Sequence, residues 1–281
     1  MTVRVFPRRT KATPTDSLAF VGGPPLWVPE AERVLVSCTF TRDIAEAERL
    51  QRAWQAALPR AEVSLGGPAF GDPGGDFTPG MFLREGYVVT SRGCPNHCGF
   101  CLVPTREGAI RELPVTPGYN ILDNNLLACS DGHLADVFAM LRTQRERVQF
   151  TGGLEAARVT PEVVEQLRTL RIDQLFLAYD SPGAWLVTER AIRLLRKAGL
   201  GRDTIRCYVL MGREGDTPDA AAERGEQVLR AGGIPFAMLY QPDTHEVSYS
   251  REWEAVRRKY ILPAAMLPQG RRAELNALLA T

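Results

Sequence analysis

Between residues 86 and 241, short runs rich in β-branched and aromatic residues alternate with amphipathic stretches of helical periodicity. Strands that alternate with helices in this way are typical of a parallel α/β sheet or barrel. The pattern therefore predicts an α/β fold with six strands. These strands are GYVVTS (86–91), YNILD (119–123), VQFTG (148–152), QLFLAYD (174–180), RCYVLMG (206–212) and PFAMLYQ (235–241).

Local signals mark where the helices between these strands begin and end. Thr160-Pro161 and Thr217-Pro218 each place a capping hydroxyl before a proline, which favours a helix start. The segments LRKAGLG and LRAGGIP end two helices with basic residues followed by glycine. Further helices are predicted near 133–145, 184–198, 250–259 and 270–280.

A smaller pattern precedes this region. A strand over 33–40, a helix over 43–57 and a strand over 61–70 predict a β-α-β unit, and the Gly/Pro-rich segment GGPAFGDPGGDFTPG follows as a linker. We expect residues 1–80 to form this small unit with its linker, and residues 81–281 to form the main domain.

The composition narrows the classes of protein to consider. There are 34 basic and 33 acidic residues, so the formal net charge of +1 provides no global attraction to nucleic acid, although local patches remain. The N-terminal sequence lacks an apolar signal segment, and no stretch reaches the roughly 18 consecutive apolar residues of a membrane helix. We expect a soluble, cytoplasmic protein with no membrane partner and with reduced cysteines.

Three of the six cysteines lie close together in TSRGCPNHCGFCLVP, at the spacing C-x3-C-x2-C. Iron-sulfur clusters are usually held by four thiolates, so three ligands on one loop leave one iron of a cubane for another ligand. Gly93 and Gly99 would allow the loop to turn sharply. One alternative is a structural zinc site with His97 or a remote residue as the fourth ligand. Another is an electron-transfer protein, which would normally supply a fourth thiolate.

The stretch resembles the cluster loop of the radical S-adenosylmethionine (SAM) superfamily, C-x3-C-x-aromatic-C, with Phe100 as the aromatic residue. The resemblance implies a [4Fe-4S] cluster on Cys94, Cys98 and Cys101, with SAM chelated to the remaining iron. It also implies reductive cleavage of SAM to a 5′-deoxyadenosyl radical, which abstracts hydrogen from a substrate. The implied fold is a partial (β/α)6 TIM-type barrel, here with a small N-terminal βαβ extension. The continuation CLVPTREGAIREL is similar to that of the methylthiotransferase and cobalamin-type branch.

Two further motifs support the resemblance. FTGGLEA looks like the Gly-Gly-Glu motif that meets the SAM amino group, which implicates Gly152, Gly153 and Glu155. Leu154 intervenes between the second glycine and the glutamate, so a tight turn with a solvent-facing glutamate is the alternative. Asp180 follows the fourth strand, where the family keeps polar groups for the SAM ribose, and capping of the next helix is the alternative.

The last two strands carry the residues that the resemblance assigns to adenine. Leu210 and Gly212 partly match a G-x-I-x-G pattern, with Tyr208 in place of the first glycine. On the sixth strand, Met238 or Leu239 would contact adenine, according to which of the two faces inward.

Other residues and partners complete the prediction. Asp123, Asn124 and Asn125 end the second strand and are candidates for contact with substrate or SAM, with a plain turn as the alternative. Cys38, Cys129 and Cys207 are widely separated and are expected to be small core residues. The N-terminal unit resembles the last part of a cobalamin-binding domain. It lacks the D-x-H-x-x-G segment that supplies a histidine to cobalt, so no cobalamin is expected.

The predicted function is therefore that of a radical SAM enzyme that takes electrons from a donor such as flavodoxin or ferredoxin. Its many arginines favour a nucleic acid or nucleotide substrate, with a peptide or small metabolite as the next choice. The alternative from another class is a non-enzymatic, zinc-stabilised nucleic-acid-binding protein.

Overall fold

The computed structural model describes residues 1–242 and 247–261. The chain divides into two compact units, Met1–Gly118 and Tyr119–Thr281. The division falls after Gly118, whereas the composition of the linker placed the predicted boundary after residue 80. The cysteine motif consequently belongs to the first unit. The helix predicted over 270–280 lies outside the described residues.

The first unit is built on a four-stranded parallel sheet in the order β2-β1-β3-β4. A single α-helix, α1 (Ile44–Ala57), connects β3 to β4. The strands are β1 (Thr2–Phe6), β2 (Ala19–Val21), β3 (Arg33–Ser37) and β4 (Glu62–Gly66). The predicted β-α-β unit is confirmed by β3, α1 and β4, and the structure adds β1 and β2 to it.

Alternating apolar residues form the core of this sheet. Val3, Val5, Val34 and Val36 are buried and pack with Trp54 of α1. The Trp54 indole also donates a hydrogen bond to the Gly22 carbonyl at 3.2 Å, which satisfies the buried N–H. The short segment TVRVF has the same alternation as β3, but five residues are too few to distinguish a strand from a loop by pattern.

A buried arginine ties the linker after β4 to this sheet. The Arg4 guanidinium donates to the carbonyls of Gly80 and Met81 at 2.6 and 3.3 Å, and it pairs with the Asp16 carboxylate. Since Arg4 is only 8% exposed, these acceptors are needed to offset the loss of hydration.

The predicted strand 86–91 is divided into two short strands, β5 (Tyr87–Val88) and β6 (Ser91–Arg92). The second of these pairs antiparallel with β7 (Arg111–Glu112). One short helix, α2 (Val103–Arg106), lies between β6 and β7. The division arises because Ser91 and Arg92 pair with residues about 20 positions later.

The structure has a second parallel sheet, and five of its strands belong to the second unit. Their order is β12-β11-β10-β9-β8. This confirms an α/β class with parallel strands. The strands are β8 (Asn120–Ile121), β9 (Val148–Leu154), β10 (Ile172–Tyr179), β11 (Ile205–Met211) and β12 (Ile234–Leu239). The helices are α3 (Asp131–Arg142), α4 (Pro161–Arg168), α5 (Trp185–Lys197), α6 (Pro218–Ala231) and α7 (Arg251–Lys259). Short 3-10 helices occur at Thr41–Asp43, Pro68–Phe70, Leu126–Ala128, Ala156–Arg158 and Pro182–Ala184.

The predicted helix signals in this unit are confirmed. The hydroxyls of Thr160 and Thr217 accept hydrogen bonds from the N–H groups of Val163 and Ala220, at 3.3 and 3.2 Å. Gly232 ends α6 with a left-handed φ of 99°. Within the described ranges, every helix is too short or too polar to serve as a membrane span.

Candidate functional site

The three cysteines of the motif lie on a loop whose base is closed by β6 and β7. We call residues 93–110 the cysteine loop. Above the two-strand ladder, the Cys94 N–H donates to the Gly108 carbonyl at 3.1 Å, and below it the Leu113 N–H donates to the Thr90 carbonyl at 2.9 Å. The two arms of the loop are therefore joined at its base by backbone hydrogen bonds.

Gly93 is required by the close approach of these two arms. Its φ is +81°, and a Cβ at this position would lie 2.2 Å from the Ala109 carbonyl oxygen. A side chain would meet rigid backbone here and would also adopt an unfavourable conformation. At Gly99, by contrast, a Cβ would contact nothing within 4 Å, so the described fold does not need a glycine there.

A buried carboxylate braces the loop. Glu107 accepts a hydrogen bond from the Gly93 N–H at 3.1 Å, and Arg106 donates to its other oxygen at 2.6 Å. The Glu107 side chain is only 4% exposed, so the Arg106 guanidinium is needed to offset the cost of burying the negative charge. The sequence analysis missed Glu107, because no local signal shows that it reaches back to Gly93.

The thiols differ in exposure. Cys98 is exposed, while Cys94, Cys101 and the side chain of Phe100 are half-buried. Among the described residues, no three His, Cys, Asp or Glu side chains are grouped closely enough to hold a metal ion. The donor set itself fits an iron-sulfur cluster, because thiolate is the ligand such clusters take. His97, considered for zinc, is exposed beside Cys98.

The other three cysteines are buried, as predicted. Cys38 and Cys207 are fully buried and Cys129 is 8% exposed. Burial raises the pKa of the Cys207 thiol well above its usual range, with a further contribution from Asp180. Cys207 is therefore a core thiol that burial keeps protonated.

In the second unit, the two glycines of the GGLE segment lie inside β9 and form a bulge. Leu175 and Leu177 of β10 are two residues apart, but their partners on β9, Phe150 and Leu154, are four residues apart. The two glycines lie in this longer segment of β9. A Cβ on Gly152 would lie 2.3 Å from the Asp123 carbonyl oxygen. The chain after β8 therefore approaches β9 so closely that only glycine fits. Gly153 has a φ of +95°, which also favours glycine.

Glu155 and Asn125, assigned separately from the sequence, are brought into contact. The Asn125 amide donates to Glu155 Oε2 at 2.7 Å, and Arg158 Nε donates to the same oxygen at 2.8 Å. Asn125 and Asp123 are buried and Asn124 is half-buried. The predicted alternative of a solvent-facing glutamate in a plain turn therefore does not describe Glu155.

Asp180 directly follows β10 and is half-buried. Burial raises the pKa of its carboxyl to about 6, although the positive charge of Arg213 acts in the opposite direction. The N-cap of the following 3-10 helix is Ser181 and that of α5 is Ala184. Capping by Asp180, the alternative to a ligand contact, is thus not observed.

Leu210 and Met238 pair across β11 and β12 and lie on the same face of the sheet. Of the two candidates on β12, Met238 shares the face of Leu210, whereas Leu239 lies on the opposite face. Met238 is 43% exposed. Gly212 follows β11 with a φ of +80°, and a Cβ there would lie 2.5 Å from the Tyr249 ring.

The face that carries Leu210 and Met238 continues as an aromatic cluster along the strands. Phe176 and Tyr208 stack with ring centroids 4.2 Å apart, and Phe236 contacts both rings edge-on at 6.0 and 5.8 Å. Burial raises the pKa of Tyr208 to about 12, and its hydroxyl donates to the Thr151 carbonyl at 3.0 Å. Tyr208, at the position where the resemblance leads one to expect a glycine, therefore fills this face with a neutral side chain.

A buried ion pair, absent from the sequence analysis, fixes the end of β11. Arg224 donates to both oxygens of Asp216 at 3.0 and 2.6 Å and to the Leu210 carbonyl at 3.0 Å. Asp216 also accepts from the Gly212 N–H at 2.9 Å. Burial acts to raise the pKa of Asp216, but the hydrogen bonds from Arg224 and Gly212 outweigh it, and the pKa is lowered.

Because β8 to β12 are parallel, Asp123, Glu155, Asp180, Leu210 and Met238 all lie at or near the carboxyl ends of neighbouring strands. Ligands of open α/β sheets bind outside these ends. This edge of the second unit combines carboxylates with an apolar face, which suits a ligand with charged and planar parts.

A cavity of about 460 Å³ lies at the opposite, amino ends of the strands. Three arginines line it. Arg147 donates to a strand carbonyl at 2.7 Å, Arg171 to the Arg145 carbonyl, and Arg168 pairs with Glu165 at 3.0 Å. Each of these guanidiniums therefore already has an acceptor within the protein.

The chain matches no family model and is significantly similar to no curated protein. The cysteine loop and the carboxyl-end groups of the second unit therefore carry the functional assignment.

Proposed function

We propose that this chain is a radical SAM enzyme. The observation that carries the proposal is the cysteine loop, which presents three thiols from one short segment and is held at its base by β6, β7 and Glu107. Cys94, Cys98 and Cys101 would hold a [4Fe-4S] cluster. Three thiolates leave one iron for an outside ligand, whereas a structural metal centre is closed by four protein ligands.

When bound and reduced, the cluster would pass one electron to SAM, whose carbon–sulfur bond would break to give methionine and a 5′-deoxyadenosyl radical that takes hydrogen from the substrate. The electron would come from a small donor protein such as a flavodoxin or ferredoxin. The proposal includes a partial (β/α)6 barrel, for which the parallel order of the second sheet is the support.

The chain's own residues would bind and orient SAM at the carboxyl ends of β9 to β12. Asn125 holds the Glu155 carboxylate in place, and this carboxylate complements the SAM ammonium group. Asp180 accepts from the ribose hydroxyls in its ionised form. Leu210 and Met238 provide apolar surface for adenine.

Anaerobic reconstitution with iron and sulfide tests the metal centre. We expect about four iron and four sulfide ions per chain, visible absorbance and an electron paramagnetic resonance signal after reduction. Cys98→Ala should lose most of the iron and the signal. Cys207→Ala is the matched control, because the buried, protonated thiol of Cys207 should not ligate iron.

The reduced, reconstituted protein should then convert SAM to 5′-deoxyadenosine, measured by chromatography. A colourless protein that binds zinc and no iron would contradict the proposal and favour the zinc-stabilised alternative. Full iron and sulfide content in the Cys98→Ala variant would contradict the ligand assignment.

A further inference from the structure

The sheet of the first unit has a feature that the cysteine loop does not use. In this sheet β1 lies between β2 and β3. The chain passes from β1 to its neighbour β2 in one direction, and β3 and β4 lie in the other direction. The loops after β1 and β3 therefore separate at their carboxyl ends. In open parallel sheets, the crevice at such a switch point is where ligands bind.

Exposed cationic and aromatic side chains lie on the segments that follow these strands. Arg9 and Lys11 follow β1, Phe40 and Arg42 follow β3, and Phe70 follows β4. All five are exposed. We call this group the cationic edge.

The Phe40 ring is in contact with two guanidinium groups. The Arg42 guanidinium lies 4.8 Å from the centroid of the Phe40 ring, and that of Arg8 lies 6.0 Å away. The Ala69 N–H donates to the Cys38 carbonyl at 3.0 Å. This hydrogen bond joins the loop that carries Phe40 to the loop that carries Phe70.

The charge of this edge is only partly neutralised. Arg8 pairs through two nitrogens with the buried carboxylate of Asp43. In the part of the chain that the structure describes, Arg9, Lys11 and Arg42 take part in no ion pair. Three exposed cations on these segments thus remain for an anionic ligand, and Arg42 lies against the Phe40 ring.

We propose that the cationic edge binds single-stranded nucleic acid. Exposed rings accept unpaired bases by stacking, and neighbouring arginines and lysines neutralise the phosphates. A protein surface that only attracts small anions would not need exposed phenylalanines. Binding at this edge involves neither the cluster nor SAM, so the proposal does not rest on the proposed enzymatic function.

Fluorescence anisotropy with labelled oligothymidine and oligouridine of about 12 nucleotides tests the proposal on the full chain. Three phosphate contacts predict a slope of about −2 for the logarithm of affinity against the logarithm of salt, since each contributes about 0.7 on single strands. Affinity should then fall about 20-fold between about 50 mM and about 200 mM salt. A duplex of the same sequence should bind more weakly, because its bases are already stacked.

The double variant Arg9→Ala/Arg42→Ala should leave one phosphate contact and a slope of about −0.7. Phe40→Ala should weaken binding about tenfold while keeping the salt slope. Arg33→Ala/Arg60→Ala is the matched control, because it removes the same charge from exposed residues at the amino ends of β3 and β4. Circular dichroism checks that each variant is folded.

Equal loss in the control double variant, or equal affinity for the duplex with no effect of Phe40→Ala, would overturn the proposal. So would displacement of the oligonucleotide by inorganic phosphate beyond that caused by chloride of equal ionic strength, which would indicate a small-anion site. The outcome is separable from the enzymatic proposal, because binding is measured on protein without iron, SAM or reductant.

Discussion

At three glycines of the motifs, a side chain would clash with neighbouring atoms. The positions that a Cβ would occupy at Gly93, Gly152 and Gly212 lie 2.2, 2.3 and 2.5 Å from other atoms of the protein. At the first two, the obstructing atom belongs to the backbone, so no side-chain movement relieves the clash. Packing against the backbone thus accounts for Gly93 and Gly152 without any ligand.

Asp180 makes the stability of the protein depend on pH. Its folded pKa of about 6 lies above the value near 3.9 of an unfolded aspartate, so the folded state holds the proton more tightly. Ionisation of Asp180 consequently costs stability as pH rises from about 4 to about 6. Asp180→Asn should stabilise the protein relative to wild type by at most about 3 kcal/mol above pH 6, and by little below pH 4.

Urea unfolding at a series of pH values measures this difference. Asp173→Asn is the matched control, because it makes the same substitution at an exposed position of the same strand. A constant Asp180→Asn difference from pH 4 to pH 8 would contradict the assignment. If Asp180 binds the ribose, the same variant should bind SAM more weakly at pH 8, which can be measured by calorimetry.

Glu107 is expected to position the cysteine loop. Glu107→Ala removes the acceptor of the Gly93 N–H and the partner of Arg106, and should cost about 1–3 kcal/mol in unfolding free energy. Iron retained per chain after reconstitution should also fall. Glu107→Gln keeps an oxygen for the Gly93 N–H and should lie between wild type and Glu107→Ala.

The control for Glu107 is Glu165→Ala, which removes an exposed glutamate that also pairs with a neighbouring arginine. An exposed pair contributes about 0–1 kcal/mol, so this variant should keep wild-type stability and iron content. If Glu107→Ala changed neither the stability nor the iron content, the support of the cysteine loop would have to come from other residues.

At the scale of elements, β11 and α6 are joined through one ion pair. Arg224 connects the Leu210 carbonyl at the end of the strand to Asp216 before the helix. The side chains of Arg224 and Asp216 are only 6% and 11% exposed. The proposed adenine-contacting segment therefore depends on a buried charge pair outside any motif.

Arg224→Met should destabilise the protein by about 3–5 kcal/mol, because it leaves the Asp216 carboxylate buried without its cation. The lowered pKa of Asp216 means that its contribution is present above the unfolded pKa of about 3.9 and is lost as pH falls through the folded value. The difference between wild type and Arg224→Met should therefore shrink in acid. Chemical unfolding at pH 7 and below pH 4 measures both effects.

Adding Asp216→Asn to Arg224→Met should restore part of the stability, since the unpaired charge is then removed. The exposed pair Arg193–Glu189 provides the comparison, and Arg193→Met should cost less than about 1 kcal/mol. Equal costs at both pairs would show that burial of the Arg224 pair is energetically unimportant.

At the scale of the whole molecule, the candidate groups are distributed over two compact units. The cysteine loop and the cationic edge belong to the first unit, and the groups proposed for SAM belong to the second. The net charge of +1 means that attraction to nucleic acid has to come from a local group of cations. The modest salt slope expected for the cationic edge reflects the small number of cations in this group.

Much of the second unit was predictable because its signals are local. The threonine caps of α4 and α6 and the glycine that ends α6 act within a few residues, so the sequence shows them directly. The division of strand 86–91 was not predictable, because β6 is defined by its pairing with β7. β1 and β2 were missed because they are short and are stabilised by neighbours elsewhere in the chain.

The sequence by itself determined the α/β class, the three-cysteine motif and the burial of the remaining cysteines, since periodicity and spacing are properties of adjacent residues. Only the tertiary structure decided the strand order that creates a switch point in the first unit, the contact of Asn125 with Glu155, and the support of the cysteine loop by Glu107. Each of these joins residues separated by turns or whole elements. Such contacts depend on how strands pair and loops close, and no periodic pattern along the chain records them.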